Sequence, residues 1–517
     1  MNLGVMLEKT AKRYAGKTAI VMGERKVSYA ELDEASNKVA NALIKMGVRK
    51  GERVVMLSPN SPEFVTVYFG IVKAGGIAVP LDIRYRVGEL ASLFASCQPK
   101  VLVAESDLLK PLVSALSRFD SVEHVIDLGS EYKGQFFNYG EIMATSSAQR
   151  VKVALAPEDI ATISYTGGPT NHPQGAALSH RSLILEAIIS AYGFQQTDKD
   201  MVMLFALPMY HMFGLASVLL TSVNKGSTVV MVPGTGVSIG SFMEAIERER
   251  GTIYVGVPYI YALAVNIAER EGIKYNLGSL RLCASGGAPL SIDIIRQFKQ
   301  YYGLTIADVW GLTEAVSHVT CPPLDGTGRL GAQGKALPGW EIKVVDDNGN
   351  ELPPNQPGEI IVRGPIMNGY HNNPQATAEA IKDGWLYTGD MGRVSEDGYL
   401  FLSGRKKELL ILKGQNIYPS DIEEVLCTHP KVAGVTVVGV PDRLRGETVG
   451  AAISLKEGEV ATEQEIRQFC QERMADYKVP RQIIFTNSLP KSVTAKFSRE
   501  KLREYFLTLS SSPHQRR

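Results

Sequence analysis

Short apolar runs alternate with stretches of helical periodicity along most of this chain, and that alternation leaves few architectures open. Ser28 opens a helix with Glu31 three residues on, the spacing of a capping box, and Leu32, Ala35, Val39, Leu43 and Met46 then recur at helical intervals until Gly47. Val54 to Leu57 reads as a strand closed by Ser58-Pro59-Asn60, Pro62 to Ala74 as a helix, and Val101 to Ala104 as another strand. Ile160 to Tyr165, Ser227 to Val232 and Ile253 to Val257 repeat the pattern, each with a helical stretch after it. Strands that alternate with helices predict an α/β fold: a large N-terminal body of parallel-rich sheets covered by helices, reaching about Ser403. Beyond it the elements shorten. Asp421 to Cys427 reads as a helix, Val432 to Val440 and Ala451 to Leu455 as strands, Thr462 with Glu465 as a second capping box, and Val479 to Phe485 as a last strand behind Pro480. This predicts a small α+β C-terminal lid, with domains over 1–403 and 404–517, since 517 residues exceed what one hydrophobic core organises. Ser510 to Arg517 read as a disordered tail.

Composition removes several classes of function. A formal net charge of +1 steers the chain toward neither nucleic acid nor an anionic membrane. The five cysteines, Cys97, Cys283, Cys321, Cys427 and Cys470, are widely spaced and contain no Cys-x-x-Cys pair, which argues for small buried side chains in a reducing compartment. Glu8, Lys9, Lys12 and Arg13 interrupt the N-terminus before an apolar signal-peptide core can form, and no run approaches the roughly 18–20 apolar residues that span a bilayer. The expectation is a cytoplasmic enzyme.

Three glycine-rich segments compete as phosphate sites. Gly326-x-Gly328-x-x-Gly331 has dinucleotide spacing, yet Gly334 and Pro338 follow it instead of a helix whose N-terminus could face a pyrophosphate. Val229 to Gly240 runs from a strand through Gly234 and Gly236 into a helix but lacks a third glycine at the right spacing, and the next strand ends in Val257-Pro258 without a ribose-binding carboxylate. Tyr165-Thr166-Gly167-Gly168-Pro169-Thr170-Asn171-His172-Pro173-Gln174-Gly175 follows a strand and precedes the helix that opens near Ser179, where a backbone cradle for phosphate belongs. No Gly-x-x-x-x-Gly-Lys-Ser/Thr occurs, which excludes ordinary P-loop ATPases.

Further motifs stand downstream: Ser285-Gly286-Gly287-Ala288-Pro289, Trp310-Gly311-Leu312-Thr313-Glu314, Tyr387-Thr388-Gly389-Asp390, Gly404-Arg405-Lys406-Lys407-Glu408, Lys413-Gly414 and Thr494-Ala495-Lys496. Together with the Tyr165–Gly175 loop they resemble the adenylate-forming family of acyl-CoA synthetases over nearly the whole chain. The resemblance implies ATP, Mg²⁺ and coenzyme A as reactants. Thr166, Gly167, Gly168, Thr170 and Gln174 would line the phosphate loop, and Gly287, Ala288 and Pro289 the adenine wall, with Asp308 also among the nucleotide contacts. Trp310 would stack on the purine, Thr313 would bond the α-phosphate, and Glu314 would hold Mg²⁺, a hard cation suited to polyphosphate. Asp390 would accept both ribose hydroxyls, one carboxylate serving two donors, and Arg405 would be a second ribose and phosphate contact. Lys407 would be the hinge, Lys413 and Gly414 would line the pantetheine channel, with Pro441-Asp442 to Gly446-Glu447 near it. Lys496 would place an ammonium between the attacking carboxylate and the α-phosphate, offsetting charge that builds in the transition state.

The loop departs from the family pattern Y-T-[SG]-G-T-T-G-x-P-K-G at three places. Pro169 removes a hydroxyl and an N–H, Asn171 replaces a glycine while tolerating positive φ, and Gln174 replaces a lysine. A charge-assisted bond contributes about 1.5–3 kcal/mol, so the loop is expected to hold the outgoing pyrophosphate one or two orders of magnitude less well. Ala495 stands where glycine is usual.

The acid is less legible. Leu207 to Gly214 resembles the family's aromatic–His segment beside the acyl pocket, with His211 near the carboxylate, and it lacks the aspartate that pairs with an amino acid's ammonium. Met212, Phe213, Tyr254 and Gly256-Val257-Pro258 suggest an apolar pocket that fits a fatty, alicyclic or aromatic acid, and the Thr-Gly-Gly opening at Thr166 leans toward fatty acids. Three functions stay open: an acid:CoA ligase, an enzyme that passes its acyl group to a carrier protein's phosphopantetheine, and a nucleotide-binding pseudoenzyme with an impaired loop. The oligomeric state is not encoded legibly.

Overall fold

The computed structural model describes residues 1–85, 87–166, 174–232, 238–272, 275–406, 410–412, 415–417, 419–442, 446–474, 478–486, 499, 502–503 and 505–506. Two compact units are present, Met1–Ile342 with Val362–Tyr387, and Lys343–Ile361 with Thr388–Arg517.

The first unit contains two large helix-covered sheets. One has seven strands in the order Ile306–Asp308, Leu282–Ser285, Ile253–Gly256, Met201–Leu204, Thr228–Met231, Thr18–Met22 and Arg25–Ser28. Every pairing in it is parallel except the final hairpin. Its central strands are buried along their length, as parallel strands covered on both faces must be. The helices Ile239–Glu249, Pro258–Glu271 and Ile292–Tyr302 bring Phe242, Ile246, Tyr261, Ala264 and Phe298 into one core with Tyr254 and Cys283. The other sheet has eight strands, with Arg53–Leu57 at its centre between Ile77–Pro80 and Val101–Ala104. Val55, Val79, Leu93, Phe94 and Leu102 form its core.

Local signals placed several elements correctly. Ser28 caps the helix Tyr29–Lys45 with the reciprocal Glu31 bond in place, and Ser61 caps Pro62–Ala74, which Gly75 ends in the left-handed conformation at φ 83°. Ser179 caps the helix His180–Gly193. The segment before it differs from expectation: Ile160–Thr166 does not lead into that helix but pairs antiparallel with a further strand, Gln174–Ser179. The phosphate-loop sequence therefore spans the connection of a hairpin. The reason is tertiary, because Gly175–Ser179 is buried as the sheet's continuation.

In the second unit Trp385–Val394 pairs antiparallel with Leu400–Arg405. A three-stranded sheet, Val432–Asp442, Gly446–Leu455 and Gln482–Phe485, shares a core of Ile422, Leu426, Val437, Val449, Ile466 and Ile483 with the helices Pro419–Cys427 and Glu463–Gln471. The second expected capping box is half formed. Thr462 accepts from the Glu465 amide at 3.1 Å, while the Glu465 carboxylate pairs with Lys431 at 2.8 Å. The last strand starts at Gln482, later than Val479, since Pro480 offers no N–H to a ladder. No helix among the described residues is long and apolar enough to cross a membrane.

Candidate active site

Parallel register puts Gly256, Ser285 and Asp308 side by side at the carboxyl ends of three adjacent strands. The crevice outside such ends is where open α/β sheets bind ligands. Directly after Ser285, Gly286 is buried, and a Cβ there would stand 3.1 Å from Val309 and 3.2 Å from the Phe213 ring. Three motifs distant in sequence thus converge on one glycine. Gly287 follows in the left-handed conformation, φ 80°, with open space beside it, and Ala288 and Pro289 are exposed. That short wall of small residues fits a flat purine ring. The Ser285 hydroxyl is buried, with no hydrogen-bond partner among the described residues. Asp308 is buried and accepts from Gln333 Nε2 at 2.7 Å, and burial pushes its carboxyl up to about 7.

The Trp310–Glu314 segment is held by close backbone contacts. The Trp310 carbonyl accepts from the Val319 and Thr320 amides at 2.9 and 3.1 Å, and the indole is buried with only 6% exposure. Gly311 has no room for any side chain, because a Cβ would lie 1.6 Å from the Ser317 carbonyl oxygen. Thr313–Ala315 is a single 3₁₀ turn, and Thr313 and Glu314 on it are both half-buried. Glu314 Oε1 accepts from the Tyr370 hydroxyl at 2.9 Å, and its carbonyl accepts from the Met367 amide at 2.8 Å. Among the described residues no group of three acidic, His or Cys side chains could hold a metal. One carboxylate beside a polyphosphate fits Mg²⁺, which is bound through one or two carboxylates and substrate phosphates.

His211 is half-buried in the loop ahead of Phe213–Leu220, a π-helical segment of the kind that recurs at functional sites. Asn60 clamps that loop, donating to the Leu207 carbonyl at 2.9 Å and accepting from the Met209 amide at 2.8 Å. Gln174 is exposed opposite Thr166 in the hairpin register, whereas Gly167, Gly168, Pro169, Thr170 and Asn171 lie outside the described residues.

In the second unit Asp390 pairs with Arg405, Nε to Oδ1, at 2.5 Å. The Asp390 amide donates to Thr388 Oγ1 at 3.0 Å, and that hydroxyl donates to the Ile360 carbonyl at 2.7 Å, so the carboxylate's strand is pinned from behind. Lys406 bonds Glu359 at 2.9 Å and Asp347 at 3.0 Å, which pushes its ammonium pKa up. Lys407, Lys413, Gly414 and Lys496 lie outside the described residues.

Sequence reading missed Tyr370, Gln333 and Asn60, since none stands in a motif or a periodic stretch. The Gly331–Gly334 cluster carried a signal for Gln333. Gly334 sits at φ 88°, its missing Cβ 2.1 Å from the Cys321 backbone, and that close approach brings Gln333 to Thr320 and Asp308.

Adjacent strand ends at Gly256, Ser285 and Asp308, with a run of small residues after Ser285, form the kind of edge at which α/β enzymes bind ligands. The chain belongs to the AMP-binding enzyme family, whose profile it matches over residues 7–371, and residues 421–496 match the AMP-binding enzyme C-terminal domain. It is 30% identical to the long-chain-fatty-acid–CoA ligase of Bacillus subtilis, with 96% of this chain and 93% of that protein aligned. It is 33% identical to the indoleacetate–CoA ligase of Aromatoleum aromaticum over 98% of both. The anthranilate CoA ligase AuaEII, solved in complex with anthranoyl-AMP, superposes with a TM-score of 0.92 at 29% identity, covering 99% of this chain and 98% of that one.

Proposed function

We propose that the protein is an AMP-forming acid:CoA ligase that adenylates an apolar carboxylic acid with MgATP and passes the acyl group to coenzyme A. The observation that carries this reading is the crowding at Gly286, where a Cβ would stand 3.1 Å from Val309 and 3.2 Å from the Phe213 ring, which supports a purine wall and an acyl-side aromatic meeting at one strand end. The column of Phe205, Phe242, Tyr254 and Tyr261, with ring centroids 4.4–5.4 Å apart, joins the helices Ile239–Glu249 and Pro258–Glu271 to the same sheet and supports an apolar acid. Relatives named for a long-chain fatty acid and for indoleacetate align over nearly the whole chain, so chain length and ring content are decided by experiment.

In the first half-reaction a carboxylate oxygen attacks the α-phosphorus, and the bond to pyrophosphate breaks with its electron pair leaving on pyrophosphate. Thr313 would bond the α-phosphate, Glu314 would hold a Mg²⁺ that neutralises phosphate charge, Asp390 and Arg405 would hold the ribose, and Lys496 would offset charge on the transferring group. In the second, the thiolate of CoA attacks the carbonyl carbon and AMP departs. The lysine of the first step would obstruct the thiol, so residues 404–517 act as a lid that turns about Lys407, and Lys413 and Gly414 then line the pantetheine path. Burial of Cys97, Cys283, Cys321 and Cys470 outside any disulfide supports a cytoplasmic location.

The test is a pyrophosphate-release screen over fatty acids of graded length and ring acids, followed by acyl-CoA detection without any carrier protein. Release of pyrophosphate and formation of acyl-CoA are expected for at least one apolar acid. Adenylate formation without acyl-CoA would assign a carrier-protein acceptor instead, and MgAMP binding with no pyrophosphate exchange would leave a pseudoenzyme.

A further inference from the structure

Behind the Trp310–Glu314 turn lies a buried polar cluster with no part in the chemistry above. Glu186 and Ser190, one turn apart on the helix His180–Gly193, meet Ser217 from the π-helical segment and Ser317-His318 from the chain just after Glu314. Ser190 Oγ donates to Glu186 Oε1 at 2.7 Å and lies 3.0 Å from His318 Nδ1. Ser217 Oγ lies 3.4 Å from the same Glu186 oxygen and 2.8 Å from Ser317 Oγ. The His318 backbone N–H also faces the Glu186 carboxyl. Glu186 is 0% exposed, and burial raises its pKa well above the carboxylate range. Burial likewise pushes His318, stacked on Phe194 at 4.8 Å, down to about 3. The cluster is therefore a buried hydrogen-bond network, and in the low-dielectric interior each bond is strong and each lapse is costly.

Its location indicates what it does. The Ser317 carbonyl oxygen and His318 Cα occupy the space beside Gly311, 1.6 and 2.8 Å from where a Cβ would stand. Between Glu314 and Ser317, Val316 holds φ 63°, a conformation that β-branched residues avoid. The Ser317 amide closes a tight turn on the Ala315 carbonyl at 2.8 Å. Strain of this kind persists only where the surroundings over-determine the backbone. Upstream, Tyr370 and Met367 hold Glu314. Downstream, Ser217 holds Ser317 and Glu186 faces the His318 amide.

We propose that Glu186, Ser190, Ser217 and Ser317 form a positioning network that fixes the strained Thr313–Val316 turn in the shape from which Thr313 and Glu314 meet the triphosphate and its metal. The role assigned to the turn rests on the ATP-dependent reading above. None of the four is a catalytic residue, since they act through the turn.

The test uses the full-length enzyme with Glu186→Gln, Glu186→Leu and Ser317→Ala, each checked first for an unchanged melting profile. Glu186→Gln, which keeps the side chain's shape and an oxygen that accepts from Ser190 and Ser217, is expected within about twofold of the parent in pyrophosphate exchange. Ser317→Ala and Glu186→Leu are expected to lower kcat/KM for MgATP about tenfold while the KM of the acid moves less than about twofold. If Glu186→Leu fails to fold, Ser317→Ala carries the test. Unchanged MgATP kinetics in Ser317→Ala would overturn the proposal, as would a loss confined to the acid's KM, which would place Ser217 on the acyl pocket. Amide hydrogen exchange across residues 313–320 reads the turn without any activity. Faster exchange in Ser317→Ala is expected, and equal protection would sink the network even if the enzyme proves inactive with every acid, an outcome that would instead count against the ATP-dependent reading.

Discussion

Asp390 and Arg405 face each other across an antiparallel strand pair, with the guanidinium Nε 2.5 Å from the carboxylate oxygen Oδ1. Their burial is unequal, the Asp390 side chain 8% exposed and that of Arg405 38%. Arg405→Ala leaves a buried carboxylate without its cation and is expected to cost about 1–2 kcal/mol of stability, more than Asp390→Ala, which leaves a guanidinium that water can solvate. Activity should fall in the opposite order, by about a hundredfold or more in kcat/KM for ATP in Asp390→Ala if the carboxylate accepts both ribose hydroxyls. Urea melts beside initial-rate kinetics check the two orders, and parallel losses in both would deny Asp390 a ribose role.

Tyr370 donates to Glu314 at 2.9 Å, and a bond to a charged group contributes about 1.5–3 kcal/mol. Tyr370→Phe keeps the ring and removes the donor. The apparent affinity for Mg²⁺ in a metal titration at fixed ATP should weaken about threefold to tenfold, with little change in thermal midpoint. An unchanged titration would mean that Glu314 needs no such orientation.

Gly311 and Gly287 make a matched pair for alanine substitution. At Gly311 the new methyl would meet a backbone carbonyl at 1.6 Å, which no rotamer can relieve, so the turn must shift and adenylation should be largely lost. At Gly287 the surroundings are open and the cost is the left-handed backbone alone, about 1–2 kcal/mol. Thermal melts and pyrophosphate exchange on the two variants would separate crowding from strain, and equal losses would contradict the geometry.

Asp308 titrates near 7 when folded, above the ordinary carboxylate value of 3.8, because burial disfavours its charge. Between those values the folded chain keeps a proton that the unfolded chain has released. Stability contributed by this group therefore declines as pH rises from about 4 to about 7 and levels off above. Asp308→Asn should flatten that part of the stability–pH curve, measured by denaturant midpoints at several pH values. A slope identical to the parent's would show that Asp308 is ionised throughout.

Gln174→Lys restores the cation usual in the family's loop. The KM for ATP should drop by about tenfold if the side chain reaches phosphate, and an unchanged KM would show that it does not.

Local chemistry decided the elements that begin and end within a few residues of their own signal. Ser28 with Glu31, Ser61 ahead of Pro62, and Gly75 each satisfy or terminate a helix through neighbours in the chain, so they are legible without a fold. The motif chemistry is legible for the same reason, since a run such as Trp310 to Glu314 or Ser285 to Pro289 presents its groups contiguously. Folding in three dimensions decided the rest. Whether Gly175–Ser179 becomes strand or loop depended on a buried place in the sheet between Ile160–Thr166 and Gly369–Tyr370, and the holders of Glu314 and Asp308 come from Tyr370 and Gln333, positions with no periodicity to mark them. The clamp of Ser217 on Ser317 joins side chains a hundred residues apart, |i−j| = 100. Hydrogen bonds between distant segments are chosen by which buried polar groups the packed core leaves facing one another, and no local pattern of residues carries that information.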